Sequence, residues 1–347
     1  MSSPWSYAGL LLMPILVCSG YWLGGWWNFI TPGVCFIIHP LINIMLKEKK
    51  GNHNSYHHKS SYPVIAYRLV ALLYVPVLLA LTAWAVYKIG GSEKNAIQFT
   101  GLALSVGIVN GVIGFTLAHE FIHRYNRIEK TAGYLLLLNN CYMHYGIEHV
   151  WGHHVYACTP KDPHTAKTGE SLYRYLPRAI YSTLLNAWEI EQKRSYRKKF
   201  FLSGSYNRIP LFMLLQFSLC VAIILFAGWK ACLFFLLQCF IAIILLHIVN
   251  YLQHYGLLRN VTKPGRFERM GAHHSWNSGN RLPIINLFQL DNHADHHIHP
   301  THPYETLHPL KDSPTHPTGY SGMVLLALIP PLWFYIVNKK AQTNLAG

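Results

Sequence analysis

Three short stretches of this chain carry an unusual density of imidazole. They are His119-Glu120-Phe121-Ile122-His123, Glu148-His149-Val150-Trp151-Gly152-His153-His154 and His293-Ala294-Asp295-His296-His297. Histidines at i and i+4 share one helix face, so His119 and His123 can grip a single ion. The same spacing matches the HExxH pattern of zinc metalloproteases, in which Glu120 would act as general base. A protease needs one zinc and three protein ligands. These stretches supply eight histidines, enough for two metals. So many nitrogen donors with open positions point to redox iron rather than to a closed structural zinc. Unpartnered polar groups at this density would be too costly to bury for packing alone. Each ligand ring needs a partner for its second nitrogen. Glu120, Glu148, Asp291 and Asp295 are candidates, and capping or surface charge is the ordinary use of such acids.

The elements that position these residues are apolar. Of 347 residues 51% are hydrophobic and only 12% charged, against about 25% charged in a soluble domain. The expected fold is all-α and integral to a membrane: one domain, 1–347, with spans near 5–23, 26–46, 64–88, 97–118, 209–228 and 231–251. Gly24-Gly25 marks the first turn. A seventh apolar run, 322–337, is short, contains Pro330-Pro331, and reads as interfacial or re-entrant. The first run lacks a basic leader region and reads as a retained helix. Six spans put both termini and the segments 47–63, 119–208 and 252–347 on one side, together with every dense histidine cluster. Of 29 Lys and Arg, only Lys88, Lys94 and Lys230 fall on the other side. The positive-inside rule therefore assigns the histidine cap to the cytoplasm and the protein to an inner membrane. The net charge of +15 reads as loops facing anionic lipid, with no nucleic-acid partner. The basic stretch 172–201 is expected to lie helical at the headgroups. None of the seven cysteines forms a CxxC pair, which argues against a zinc ribbon, a fused rubredoxin or a disulfide framework.

The three boxes, in this order between paired spans, resemble the membrane fatty-acid desaturase and hydroxylase superfamily. Asn250-Tyr251-Leu252-Gln253-His254-Tyr255-Gly256 resembles the NYxEHYG box of the alkane 1-monooxygenase family. Glu268-Arg269 and His274-Ser275-Trp276-Asn277-Ser278 are similar to its ER…HSWNS stretch, and Asp295-His296-His297, Pro300 and Pro303-Tyr304 to its HxDHHxxP…Y pattern. The resemblance runs from about residue 110 to 338. It implies two iron ions held by His119, His123, His149, His153, His154, His254, His293, His296 and His297, with His273 and His274 as close neighbours outside the ligand set. It also implies that one atom of O2 enters an unactivated C–H bond of an apolar substrate, by terminal hydroxylation of a medium-chain alkane. The chain has no flavin, NAD or haem motif, so electrons would come from a rubredoxin- or ferredoxin-type protein. Arg194, Arg197, Lys198 and Lys199 could steer such an acidic donor.

Three positions depart from the family pattern. Gln253 stands where alkane hydroxylases have Glu, Asp291-Asn292-His293 where they have Gln-Arg-His, and Val150-Trp151 interrupt the second box. Gln253 and Asn292 resemble the xylene and cymene methyl-hydroxylases, which makes a methyl-arene substrate the alternative. A carboxylate beside the metals becomes an amide, which alters electronics or orientation more than ligation. Desaturation or decarboxylation of a fatty acid at the same irons would need a cationic anchor such as Arg124 or Arg127. A membrane zinc protease, or a histidine-rich transporter with ligands at mid-bilayer, are the readings from other classes. Gly107, Gly111, Gly114, Phe115, Trp26 and Trp27 could line a substrate channel, with plain helix packing as their ordinary role. His53, His57, His58, His164, His299, His302, His308 and His316 read as surface residues, and His247 as facing the iron site or a partner.

Overall fold

A computed structural model describes residues 3–46, 62–91, 95–197, 207–279 and 287–340. Six helices are long and apolar enough to cross a bilayer. They are α1 (Pro4–Leu23), α2 (Gly25–Met45), α3 (Val64–Gly90), α4 (Ala96–Ile122), α8 (Ile209–Ala227) and α9 (Trp229–His254). Between α4 and α8 lie α5 (Arg127–Leu138), α6 (145–156) and α7 (Leu172–Arg197). After α9 come a small hairpin, β1 (Val261–Lys263) with β2 (Arg266–Phe267), then α10 (His293–Ile298), α11 (Tyr320–Ala327) and α12 (Pro330–Trp333). The all-α membrane architecture expected from composition is the one observed. Lys94, Lys198, Lys199, His53, His57 and His58 lie outside the described residues.

Spanning helices satisfy their own backbone groups where no water can. Their ends carry local signals. Asn95 caps α4 by accepting from the Gln98 amide, and Asn126 caps α5 by accepting from those of Ile128 and Glu129. Gly24 and Gly25 adopt φ of +74° and +50°, which lets α1 fold straight back into α2.

α4 is the most enclosed span and packs against α2 and α9. Within the apolar interior sits a polar knot. Asn110 Nδ2 donates to Thr82 Oγ1 (3.0 Å) and Gln238 Oε1 (2.9 Å), and Asn139 Nδ2 donates to Asn110 Oδ1 (3.2 Å). These bonds tie α3, α4, the end of α5 and α9 together. Asn110 also opens a π-turn, Asn110–Gly114, in the middle of α4.

One expectation changes. The 172–201 stretch is helical through Arg197, but it does not simply lie on a surface. Leu172, Tyr175, Ala179, Thr183, Ala187 and Glu191 form a buried stripe facing the histidine segment. The 322–337 run, expected to be interfacial or re-entrant, is built as two short helices, α11 and α12, followed by a π-turn, Phe334–Asn338. α11 packs on α9, and the Trp333 ring of α12 meets Tyr251 at a tilt and Tyr255 edge-on.

Replacing Asn110 by Leu leaves Asn139 and Gln238 short of partners, so stability should fall by about 1–3 kcal/mol. Thermal unfolding in a lipid nanodisc checks this. An unchanged midpoint would mean the knot contributes nothing net.

Candidate metal centre

α4 has 27 residues and α9 has 26. At 1.5 Å per residue each is roughly 40 Å long, against ~30 Å of hydrocarbon. The excess lets the last turns, with His119 and His254, stand clear of the apolar layer.

The histidines converge into two groups. Donor nitrogens of His119, His123, His149, His154 and His296 lie within 4.8 Å of one another, as do those of His153, His254, His293 and His297. All nine histidines carried over from the family pattern fall in one group or the other. Helix geometry explains the division. His119 and His123, four residues apart on α4, reach the same group. Adjacent residues point about 100° apart, so the pairs His153-His154 and His296-His297 are each split between groups. A π-turn over His149–His153 widens the helix and lets His149 and His154, five residues apart, share the first group.

The residues fit metal ions. Nε2 of His154 lies 3.0 Å from Nε2 of His149 and 3.2 Å from that of His296. Nε2 of His293 lies 3.2 Å from that of His254 and 2.9 Å from that of His297. Metal–nitrogen bonds of about 2.0–2.1 Å place neighbouring donors about 3 Å apart. The buried Nε2 atoms of His119, His123 and His153 meet no hydrogen-bond partner. Burial, reinforced by the neighbouring rings, pushes His149, His154, His293, His296 and His297 well below the ordinary histidine range. Burial and the nearby Arg124 lower His123 to about 3. Rings of this kind stay neutral and offer lone pairs.

Three of the second nitrogens, those of His149, His153 and His254, meet residues that lie outside the expected acidic set, whereas the buried Nδ1 atoms of His154, His293, His296 and His297 meet no hydrogen-bond partner. The Tyr145 hydroxyl meets His149 Nδ1 at 3.0 Å, and Asp162 Oδ2 meets His153 Nδ1 at 3.1 Å. Cys158 Sγ lies 3.5 Å from His254 Nδ1 and donates to the His274 carbonyl. Asp162 is itself fixed by the Thr165 hydroxyl at 2.6 Å. Burial would raise the Asp162 carboxyl, but His153 and His164 outweigh it and hold it below the usual aspartate range.

The expected partners sit elsewhere. Glu120 pairs with Arg124 and accepts from the Tyr304 amide. It faces away from the rings, which removes the general base a zinc protease requires. Asp295 holds His299 and the His308 amide. Gln253 donates to the Tyr320 hydroxyl, and His274 pairs with Glu268. Glu148 Oε2 binds His164 Nε2 at 2.7 Å, with both side chains fully enclosed. A Cβ at Gly152 would come within 2.6 Å of Glu148 Oε1, so glycine makes room for that carboxylate. His164 and His316 are thus buried polar anchors and not surface residues: His316 binds the Leu252 carbonyl and stacks on Trp276. Burial lowers the affinity of His164 for a proton, and the Glu148 carboxylate more than reverses that. His247 binds the Tyr142 hydroxyl at 2.7 Å and stacks on His164. Tyr145 was findable, being four residues before His149 on one helix. Asp162 and Cys158 come from a loop that spacing does not resolve.

An apolar cavity runs into the spans from this centre. Its walls come from α1, α2, α4, Tyr145 of α6, α9, the segment 287–293 and α11, and it touches His119 of the first group and His293 of the second. Gly111 and Phe115 line it, whereas Gly107, Gly114, Trp26 and Trp27 do not. Gly107 lets α4 approach Ile241. Arg124 is not in the wall and is committed to Glu120 and the Thr301 carbonyl.

Residues 95–324 match the fatty acid desaturase family. The chain is 37% identical to alkane 1-monooxygenase 1 of Pseudomonas aeruginosa, over 97% of this chain and 90% of that protein. It is 36% identical to alkane 1-monooxygenase 2 of Alcanivorax borkumensis, over 82% and 74%. It is also 26% identical to the xylene/toluene monooxygenase hydroxylase component of Pseudomonas putida, over 94% and 87%.

Asp162→Asn should lower metal retention by the second group about 10–100-fold. Asp295→Asn, which touches no ring of either group, should leave retention near wild type. Metal content after graded chelation, measured by mass spectrometry, separates them. Equal losses would show that adjacency to the ligands, and not contact with Nδ1, is what matters.

Proposed function

The chain belongs to the fatty acid desaturase family and, within it, to the alkane 1-monooxygenases, and from that premise we propose that it hydroxylates the terminal methyl of a medium-chain alkane. It is an O2-dependent oxidoreductase. The overall change is R–CH3 + O2 + 2 electrons + 2 protons to R–CH2OH + H2O. We take the metals to be two irons, one on His119, His123, His149, His154 and His296, the other on His153, His254, His293 and His297. When bound, they supply the reduction of dioxygen and the attack on the C–H bond.

The observation that carries this reading is the cavity, whose apolar walls open onto one histidine of each group. The chain's own part is to bind and aim. Leu10, Met13, Val112 and Leu245 exclude water and hold a hydrocarbon by apolar contact alone. Tyr145 and Asp162 fix the tautomer and tilt of His149 and His153. The positive-inside charge supports a cytoplasmic cap with both termini on that side of an inner membrane. The same basic surface suits an acidic rubredoxin- or ferredoxin-type donor and anionic lipid headgroups.

Gln253 favours a second reading, a methyl-arene substrate. It lines the cavity and its amide nitrogen is bound to Tyr320. A fatty-acid substrate finds no arginine or lysine in the cavity wall among the described residues.

Cells expressing the chain with a rubredoxin or ferredoxin system, fed octane to hexadecane, toluene, xylene and decanoic acid under labelled dioxygen, should form labelled 1-alkanol. Preference for xylene would select the second reading. Unlabelled alkene with no alcohol would remove the hydroxylase assignment. Charge reversal at Lys193 and Arg194 should slow donor-dependent turnover several-fold at low salt, with the difference shrinking as salt is raised. A rate that ignores both charge and salt would mean the donor docks elsewhere.

A further inference from the structure

Outside the two metal groups, one polar side chain of the cavity wall is buried without a hydrogen-bond partner. His39 lies on α2, directly after the π-turn Val34–Ile38. It lines the cavity and is 6% exposed, and neither Nδ1 nor Nε2 meets a hydrogen-bond partner. Four other polar side chains of the wall are committed. The Thr116 hydroxyl donates to the Val112 carbonyl, Tyr145 binds His149, Asn250 binds His164, and Gln253 binds Tyr320. A plain alkane would leave both His39 nitrogens buried and unpaired, at a cost of roughly tenfold or more in an equilibrium.

Its height in the fold is fixed. Asn43, one turn further along α2, donates to Thr318 Oγ1 at 2.8 Å, in the segment that leads into α11. His39 therefore sits about 6 Å membrane-ward of that layer. α11 closes the cavity beside it through Ser321 and Val324.

We propose that His39 is a hydrogen-bonding subsite for a neutral oxygen function, foremost a hydroxyl, carried by the aliphatic chain that fills this cavity. The proposal rests on reading the cavity as the substrate site and extends its substrate class from the plain alkane to chains that already carry an oxygen. A neutral imidazole offers one N–H and one lone pair, and a hydroxyl offers the complementary pair. A carboxylate fits less well. Among the described residues no lysine or arginine lines the cavity, and Asp291 adds a carboxyl group to its wall. An uncompensated anion there would be expensive. The enzyme should thus prefer medium-chain alcohols to the alkane of equal length, with the best isomer placing its hydroxyl beside His39.

The test compares decane with 1-decanol through 5-decanol on the holoenzyme in nanodiscs, for wild type, His39→Leu and His39→Asn, each checked for metal content. Wild type should favour one alcohol isomer over decane roughly tenfold in kcat/KM. His39→Leu should reverse that preference by raising decane and lowering the alcohol, and His39→Asn should restore part of it. In parallel, the favoured decanol should raise the unfolding temperature of wild type more than that of His39→Leu. Identical substrate ratios and identical thermal shifts in wild type and His39→Leu would overturn the proposal. If no compound is oxidised by any form, the hydroxylase reading fails, and the thermal shifts alone still decide whether His39 binds a hydroxyl.

Discussion

Nine imidazole lone pairs aimed at two points in a dry interior are the constraint on which the rest of this structure depends. Neutral rings whose Nε2 atoms lie about 3 Å apart repel one another unless a proton or a cation sits between them. Burial rules against protons, because it drives these histidines far below their ordinary range. A cation at each point answers both demands. The helices must then deliver ligands from four places along the chain to within a fraction of an ångström. α4 and α9 do so by outrunning the bilayer, α6 by opening a π-turn, and α10 as a six-residue helix held from outside through Asp295.

Much of this frame was legible because the physics that sets it is local. An apolar run of twenty residues must be a helix in lipid, and six such runs fixed the count and the side on which the clusters emerge. The i, i+4 pair His119 and His123 was equally readable. What spacing did not yield was the partition of ligands. HxxxHH and HxxHH look like compact tridentate sites, yet each adjacent pair serves two different groups. The reason is rotational. A step of about 100° between neighbours carries the second histidine of a pair away from its partner's target, and only the placement of a second target makes both useful.

The residues that hold the ligands were the least legible part, and the error has one cause. Glu120 and Asp295 are next to ligands in sequence, so on a helix they point elsewhere: Glu120 to Arg124 and Tyr304, Asp295 to His299 and His308. Contact with an Nδ1 requires a residue one turn away, as Tyr145 is from His149, or a loop that folds back, as 158–165 does with Cys158 and Asp162. That loop also explains His164. Its ring stands in the interior between Glu148 and Asn250, a place that no count of polar neighbours would suggest.

The cavity links the metal groups to the choice of substrate. Since it touches both His119 and His293, whatever fills it is presented to both groups at once, and reactivity cannot select among chains of similar C–H strength. Selection must come from the walls. Leucine and valine walls distinguish chains only by length and bulk, and one methylene more or less is worth only 1–3 kcal/mol. A buried hydrogen-bonding group discriminates in a different manner, because a ligand that lacks its complement leaves the group unpaired. His39 is such a group, on the α2 side of the cavity where α11 closes it. If the walls were built for hydrocarbon alone, leucine at this position would be the more stable choice. The presence of histidine, with both nitrogens unclaimed by the protein, is therefore the feature of the cavity that a pure alkane does not account for.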